Sequence, residues 1–244
     1  MVRLEPDRRR AGKRSPNVQR RGSVRTVALV AIAIVLTQAN AARAARLEGQ
    51  VNLPAMPAAQ QASLSPYAGS LGSICTGTTT LRAGSDDVRD VVVSLRGTTV
   101  VPAVPLTKRP QLAQRGQAFE PRVLGVAVGT TVEFPNYDPI FHNVFSYSKT
   151  KRFDLGKYGQ GKSATVRFDK PGLVKVFCDI HSNMTAFVYV TETPWVVQPD
   201  DKGRFVLDGL PRGTYRLEMW HPERGTRTQT VEVTDSGTRV DLTF

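Results

Sequence analysis

Short apolar runs, separated by Gly, Pro and charged positions, fill the second half of the chain and predict strands. The clearest alternation lies in Leu173–Cys178, where Val174, Val176 and Cys178 share one face, so the cysteine continues an inward apolar row. Ala164–Phe168 precedes it across the Lys170-Pro171-Gly172 turn, and Ala186–Thr191 follows. Upstream, Val123–Val128 and Thr130–Phe134 flank Gly129. Near the end, Arg204–Leu207, Thr214–Trp220, Thr228–Val233 and Arg239–Phe244 are divided by Gly203, Gly213 and Gly225. Leu47–Leu53 and Asp90–Leu95 form two earlier strands. Between them, residues 54–88 mix Pro, Ala, Ser, Gly and Thr without a sustained period, which predicts an irregular segment. No amphipathic helix of normal length is visible, so the chain is expected to be all-β.

Charge changes this picture only at the N-terminus. The formal net charge is +12, but ten of the 33 basic residues and only two of the 21 acids fall in residues 1–44. The remainder carries 23 basic against 19 acidic residues, a net of +4, which gives no ground for a nucleic-acid partner. Arg20, Arg21 and Arg25 precede the apolar run Val27–Leu36, and Ala42-Arg43-Ala44 follows as a small-x-small pattern. Residues 1–44 therefore read as a secretion signal cut after Ala44. The run is well short of the roughly 20 apolar residues that span a membrane. The mature protein is expected to be periplasmic or otherwise exported, with no stable membrane insertion unless the leader is retained.

The chemistry concentrates in Cys178-Asp179-Ile180-His181-Ser182-Asn183-Met184, directly after the alternating strand. A thiolate, an imidazole and a thioether lie within seven residues. A copper ion that alternates between two oxidation states needs a compromise set of donors. Soft sulfur suits the reduced ion and imidazole serves both, which two His, one Cys and a weak axial Met provide. His142 precedes Cys178 by 36 residues, enough for two intervening strands and a return to the same end of a sandwich. Only three histidines occur, and the third, His221, sits in Trp220-His221-Pro222-Glu223, a turn expected after a strand, where a surface or packing residue is expected. Cys178 could instead pair with Cys75, which would remove the thiolate. A dinuclear copper centre would need a second cysteine in the same loop, and Cys75 is remote in sequence.

Residues 119–190 resemble the plastocyanin and amicyanin family of blue copper proteins. The resemblance is carried by the strand–Gly129–strand pair, Phe134-Pro135-Asn136, His142-Asn143-Val144, Pro171-Gly172 and the Cys-x-x-His-x-x-Met loop. It implies one type 1 copper with His142, Cys178 and His181 as equatorial ligands and Met184 as the axial one. It also implies that Asn143 ties the ligand loops together and steadies the sulfur. The chain departs from the family at Ile180, where a Pro usually precedes the second His. In addition, Asp200-Asp201-Lys202-Gly203-Arg204-Phe205 and Leu210-Pro211-Arg212-Gly213-Thr214-Tyr215 resemble the carboxypeptidase regulatory-like, transthyretin-like sandwich. The expected architecture is a cupredoxin Greek-key β-sandwich over residues 101–191, inserted into a smaller Ig-like/transthyretin-like sandwich built from 46–100 and 192–244.

The function expected from these features is single-electron transfer between envelope redox partners. The His181 ring edge would be the port, ringed by Pro139, Ile140, Phe141 and Met184, with Lys149, Lys151 and Arg152 steering a transient acidic partner. A copper carrier or storage module, and a structural envelope-binding protein, are the alternatives. No acid–base pair or nucleophilic triad favours an enzyme.

Overall fold

A computed structural model of the chain describes residues 45–55, 87–96 and 109–244. The expected leader, Cys75 and most of the irregular segment lie outside the described residues. The strands are β1 (Ala45–Asn52), β2 (Val92–Arg96), β3 (Ala113–Arg115), β4 (Ala118–Glu120), β5 (Val123–Ala127), β6 (Thr131–Pro135), β7 (His142–Tyr147) and β8 (Arg152–Tyr158). They continue with β9 (Ser163–Arg167), β10 (Gly172–Phe177), β11 (Thr185–Thr191), β12 (Val196–Val197), β13 (Arg204–Leu210), β14 (Gly213–His221), β15 (Gly225–Val233) and β16 (Thr238–Thr243). Helical geometry among the described residues is confined to one 3-10 turn, Val88–Asp90. The all-β class is thus observed.

The central part of the chain forms a sandwich. One layer is a five-stranded sheet in the order β5-β11-β10-β7-β8. The other is formed by the β6–β9 pair, against which the β3–β4 hairpin is hooked through bridges from Gln111 to Glu133 and from Gln114 to Asn136. Val132, Phe134, Val144, Val174, Val176 and Val188, all but fully buried, fill the space between the layers. The alternation read from the sequence is seen directly in β10: Val174 and Val176 point inward, Lys175 outward, and Cys178 continues the buried row.

A second pair of sheets, β13-β1-β16 and β12-β2-β14-β15, draws strands from both flanks of the chain. β1 runs antiparallel to β13 and parallel to β16. Gly49 in β1 lies so close to its neighbours that a Cβ there would stand 2.1 Å from the Val240 carbonyl oxygen and 2.7 Å from the Phe205 ring. The apolar run Val91–Val93, which leads into β2, has a plain cause. Val93 and Leu95 belong to the core of these sheets, whereas Val92 faces the other way, into a small cluster with Val123 and Trp220. The start of the expected Asp90–Leu95 strand differs: Asp87 accepts the Arg89 N–H and caps a 3-10 turn that ends at Asp90. A short acidic side chain at that position favours a cap over an extended backbone.

The two sandwiches meet through specific contacts. The Tyr189 ring stacks on Trp220 with centroids 4.6 Å apart and planes 9° from parallel, and its hydroxyl donates to Glu218 at 2.8 Å. Arg122, between β4 and β5, donates to Asp90 at 2.5 Å and to Glu223. Gln198 donates to the Arg89 and Val123 carbonyls and accepts from the Gly125 N–H. Burial alone would lower the Arg122 pKa, but the hydrogen bonds and charges of Glu223 and Asp90 outweigh it and hold the guanidinium above its ordinary value.

Candidate metal centre

Adjacent strands of the five-stranded sheet bring the candidate ligands together. β7 opens with His142 and lies beside β10, with Phe145 opposite Phe177. β10 delivers Cys178 one residue after its end. The following loop closes on itself: the Cys178 N–H donates to the Met184 carbonyl at 3.3 Å, and the Met184 N–H donates to the His181 carbonyl at 3.0 Å. This tight loop presents Cys178, His181 and Met184 on one short stretch of backbone.

Three donor atoms converge. His142 Nδ1 and His181 Nδ1 are 3.1 Å apart, and the Cys178 Sγ is 4.0 Å from each. These distances make an isosceles triangle. A point in its plane about 2.1 Å from both nitrogens lies about 2.3 Å from the sulfur, the lengths typical of metal–imidazole and metal–thiolate bonds. A His2Cys trigonal donor set of this kind suits copper. The residues present therefore fit the metal that the sequence suggests. Cys178 is a free thiol among the described residues, and His142, Cys178 and Met184 are all buried, whereas His181 is partly exposed. Met184 belongs to the same apolar core as Cys178, with 1% of its surface exposed. Asn143 is buried next to His142 in β7, and its Oδ1 has no hydrogen-bond partner among the described residues.

The orientation of His142 is fixed from behind. Its Nε2 lies 2.8 Å from Asp138 Oδ2. A carboxylate in that position accepts the Nε2 proton, so the Nδ1 lone pair faces the Cys178 thiol and His181. Asp138 also accepts the Gly116 N–H at 2.6 Å and the Gln117 N–H at 2.9 Å, from the tip of the β3–β4 hairpin. Burial alone would raise the Asp138 pKa, but the Gln117 and Gly116 N–H groups and His142 hold its carboxyl below the ordinary value. Asn136 frames the loop before β7: its Oδ1 accepts the Asp138 N–H, and its Nδ2 donates to the Ile140 and Tyr158 carbonyls. Tyr158 donates to the Phe134 carbonyl and accepts from Gln114; burial pushes its phenol up to about 12.

Asp138, Gln114 and Tyr158 were not foreseen from the sequence. The Asn136-Tyr137-Asp138 stretch signals a turn, but not the side to which its carboxylate points.

The surface over the ligand loops is apolar. Phe141 is 62% exposed and Ile180 40% exposed, and Pro139, Tyr137 and Ile140 are exposed as well. Met184, expected in the rim of the port, is instead enclosed in the core. The basic cluster is also less available than its composition suggests. Lys151 pairs with Asp169 at 3.3 Å, while Lys149 and Arg152 are exposed with no ion pair among the described residues, the Arg152 guanidinium lying over the Tyr147 ring at 6.0 Å. His221 takes the packing role, with no exposed surface and its Nδ1 3.3 Å from Glu223.

No protein-family model and no curated protein matches the chain. Solved structures do. Over about 40% of its length the chain is similar to cupredoxin-containing structures. A copper-containing nitrite reductase from Thermus scotoductus SA-01 is 30% identical over 39% of this chain and 25% of its own, with a TM-score of 0.34. A purple cupredoxin from Nitrosopumilus maritimus is 24% identical over 34% of this chain and 99% of its own, with a TM-score of 0.31. A reduced amicyanin carrying one tryptophan-to-tyrosine substitution is 18% identical over 41% of this chain and 98% of its own, with a TM-score of 0.33. The chain thus spans about a quarter of the reductase and nearly all of the two small proteins.

Proposed function

We propose that this chain is an exported single-electron carrier that holds one type 1 copper through His142, Cys178 and His181, with Met184 as the axial donor. The observation that carries this is the donor triangle, 3.1 Å between imidazole nitrogens and 4.0 Å from each to the thiol, built on adjacent strands of one sheet. Copper bound there supplies a one-electron couple between its cuprous and cupric forms. The protein's part is to keep the donors in one arrangement. Cys178 and His142 are set by strands, the 178–184 loop is pinned by its own backbone hydrogen bonds, and the core beneath excludes water. Donors held this rigidly reorganise little between oxidation states.

His181 reaches solvent while the other donors do not, which supports it as the side chain through which electrons pass. The exposed Phe141, Ile140 and Ile180 offer a small apolar patch of the kind transient partners dock on. Under this reading the protein is a carrier without a catalytic step, and its partner is a protein of the compartment outside the cytoplasm. The second pair of sheets is joined to the sandwich by the Tyr189–Trp220 stack and the Arg122 ion pairs.

The test is electron self-exchange measured by NMR line broadening on mixtures of reduced and oxidised protein. Phe141→Glu and Ile180→Glu place like charges face to face between two copies, and each should slow exchange about tenfold or more with the visible spectrum unchanged. Exchange unaffected by both substitutions would remove this surface from the electron path.

A further inference from the structure

We infer that Asp138 is a positioning residue of the metal centre: its fixed negative charge, delivered through the His142 Nε2–H, stabilises the cupric over the cuprous form. The inference rests on the copper reading above and deepens it. Three observations converge on Asp138. Its Oδ2 is 2.8 Å from His142 Nε2, with His142 wholly buried and the Asp138 side chain 9% exposed. A charge in so enclosed a place is screened little by water, so its effect on the imidazole is large for its distance.

The carboxylate is itself held from a separate element. Gly116 and Gln117 both have left-handed backbones, with φ of 61° and 56°. Glycine takes that conformation freely, but Gln117 does so at a cost. The two-residue turn they form aims successive N–H groups at Asp138 Oδ1 and Oδ2. Asn136 closes the arrangement by accepting the Asp138 N–H. The β3–β4 hairpin therefore acts as an external clamp on Asp138, and Asp138 on His142.

The consequence follows from ordinary coordination chemistry. An imidazole that donates its remote N–H to a carboxylate is a stronger electron donor through its other nitrogen. A stronger nitrogen donor, and a nearby negative charge, both favour the more highly charged ion. A carboxylate that only closed the hairpin against the loop would leave the balance between oxidation states unaffected once the fold is retained.

Asp138→Asn separates the two cases, because the amide keeps an oxygen acceptor while losing the charge. Cyclic voltammetry of the copper-loaded protein is combined with competition titrations for Cu(II) and Cu(I). The ratio of Cu(II) to Cu(I) affinity is expected to fall about tenfold, a potential rise of ~59 mV for one electron, with the Cu(I) affinity nearly unchanged. A ratio within twofold of wild type, in a variant with wild-type near-UV circular dichroism, would overturn the inference. A measurement on the wild type alone guards against a variant that fails to fold. Nitrogen-15 NMR of the Cu(I) protein is expected to show His142 protonated at Nε2, with that proton low-field and slowly exchanging. A proton on Nδ1, or a freely exchanging Nε2–H, would refute the contact itself. Failure of the wild type to bind copper at all would instead bring down the electron-carrier reading, and is seen in the titrations before any variant is compared.

Discussion

Replacing Arg122 by Met removes the cation that two carboxylates share where the sandwiches meet. The Arg122 side chain is 19% exposed, Asp90 8% and Glu223 10%, so the group is largely shielded from water. Taking one partner from a buried ion pair costs about 3–5 kcal/mol, mostly because a charge is left behind uncompensated. Asp90 has further interactions, and Gln198 still bridges Arg89 and Val123, which places the expected loss near the lower end, about 3 kcal/mol. Met retains most of the apolar stem but not the guanidinium, whose carbon lies 5.3 Å from the Phe187 ring centroid. For a domain of this size the loss corresponds to a melting temperature lower by roughly 6–12 °C. Urea unfolding followed by tryptophan fluorescence suits the measurement, since Trp220 stacks at the junction and Trp195 lies in the core of the second pair of sheets. The triple variant Arg122→Met, Asp90→Asn, Glu223→Gln removes the stranded charges and should recover most of the loss. A single variant destabilised by less than about 1 kcal/mol, or a triple variant worse than the single one, would refute the assignment of the junction to charge compensation.

Burial, opposed by the charges of Glu223 and Asp90, holds the His221 imidazole below its ordinary value of 6.5. The unfolded chain therefore takes up that proton first, and stability should decline as pH drops below about 6.5 until the folded pKa is passed. His221→Phe should flatten that part of a pH series of urea midpoints. Gly49→Ala forces a methyl group against the Val240 carbonyl, and should cost about 1–3 kcal/mol or more in the same assay. Met184→Gln offers an amide oxygen from a site with 1% exposure, a harder donor that should lower the reduction potential and shift the visible bands. An unchanged spectrum and potential in that variant would exclude Met184 from the coordination sphere.

Much of the site was legible because its chemistry depends on residue types that are rare in this chain. Two of three histidines and a cysteine closing an alternating strand made His142, Cys178 and His181 stand out, and the structure brings these three together. Asp138 was not legible, because its role depends on a hairpin some twenty residues upstream meeting a turn in space. That hairpin has strands of three residues each and a Gly-Gln tip, too little pattern to register. β8 was missed for a related reason: as an edge strand it alternates between exposed and half-exposed positions, which blurs the apolar period. Conversely, the Val91–Val93 run leading into β2 was conspicuous, although only the packing explains it: Val91 and Val93 serve one core and Val92 the other. The reduced basic cluster has the same lesson in charge: Lys151 is a cation in sequence and half of an ion pair in space.

The most direct test of the site is the visible and EPR spectrum of residues 45–244, reduced, loaded with copper and reoxidised, beside a Cys178→Ser variant. A copper held by the Cys178 thiolate in a His2Cys plane should give an intense thiolate-to-copper charge-transfer band and a narrow copper hyperfine splitting, both lost in the variant. A colourless wild type, or a spectrum indifferent to the substitution, would mean that the triangle of His142, Cys178 and His181 is not a copper site.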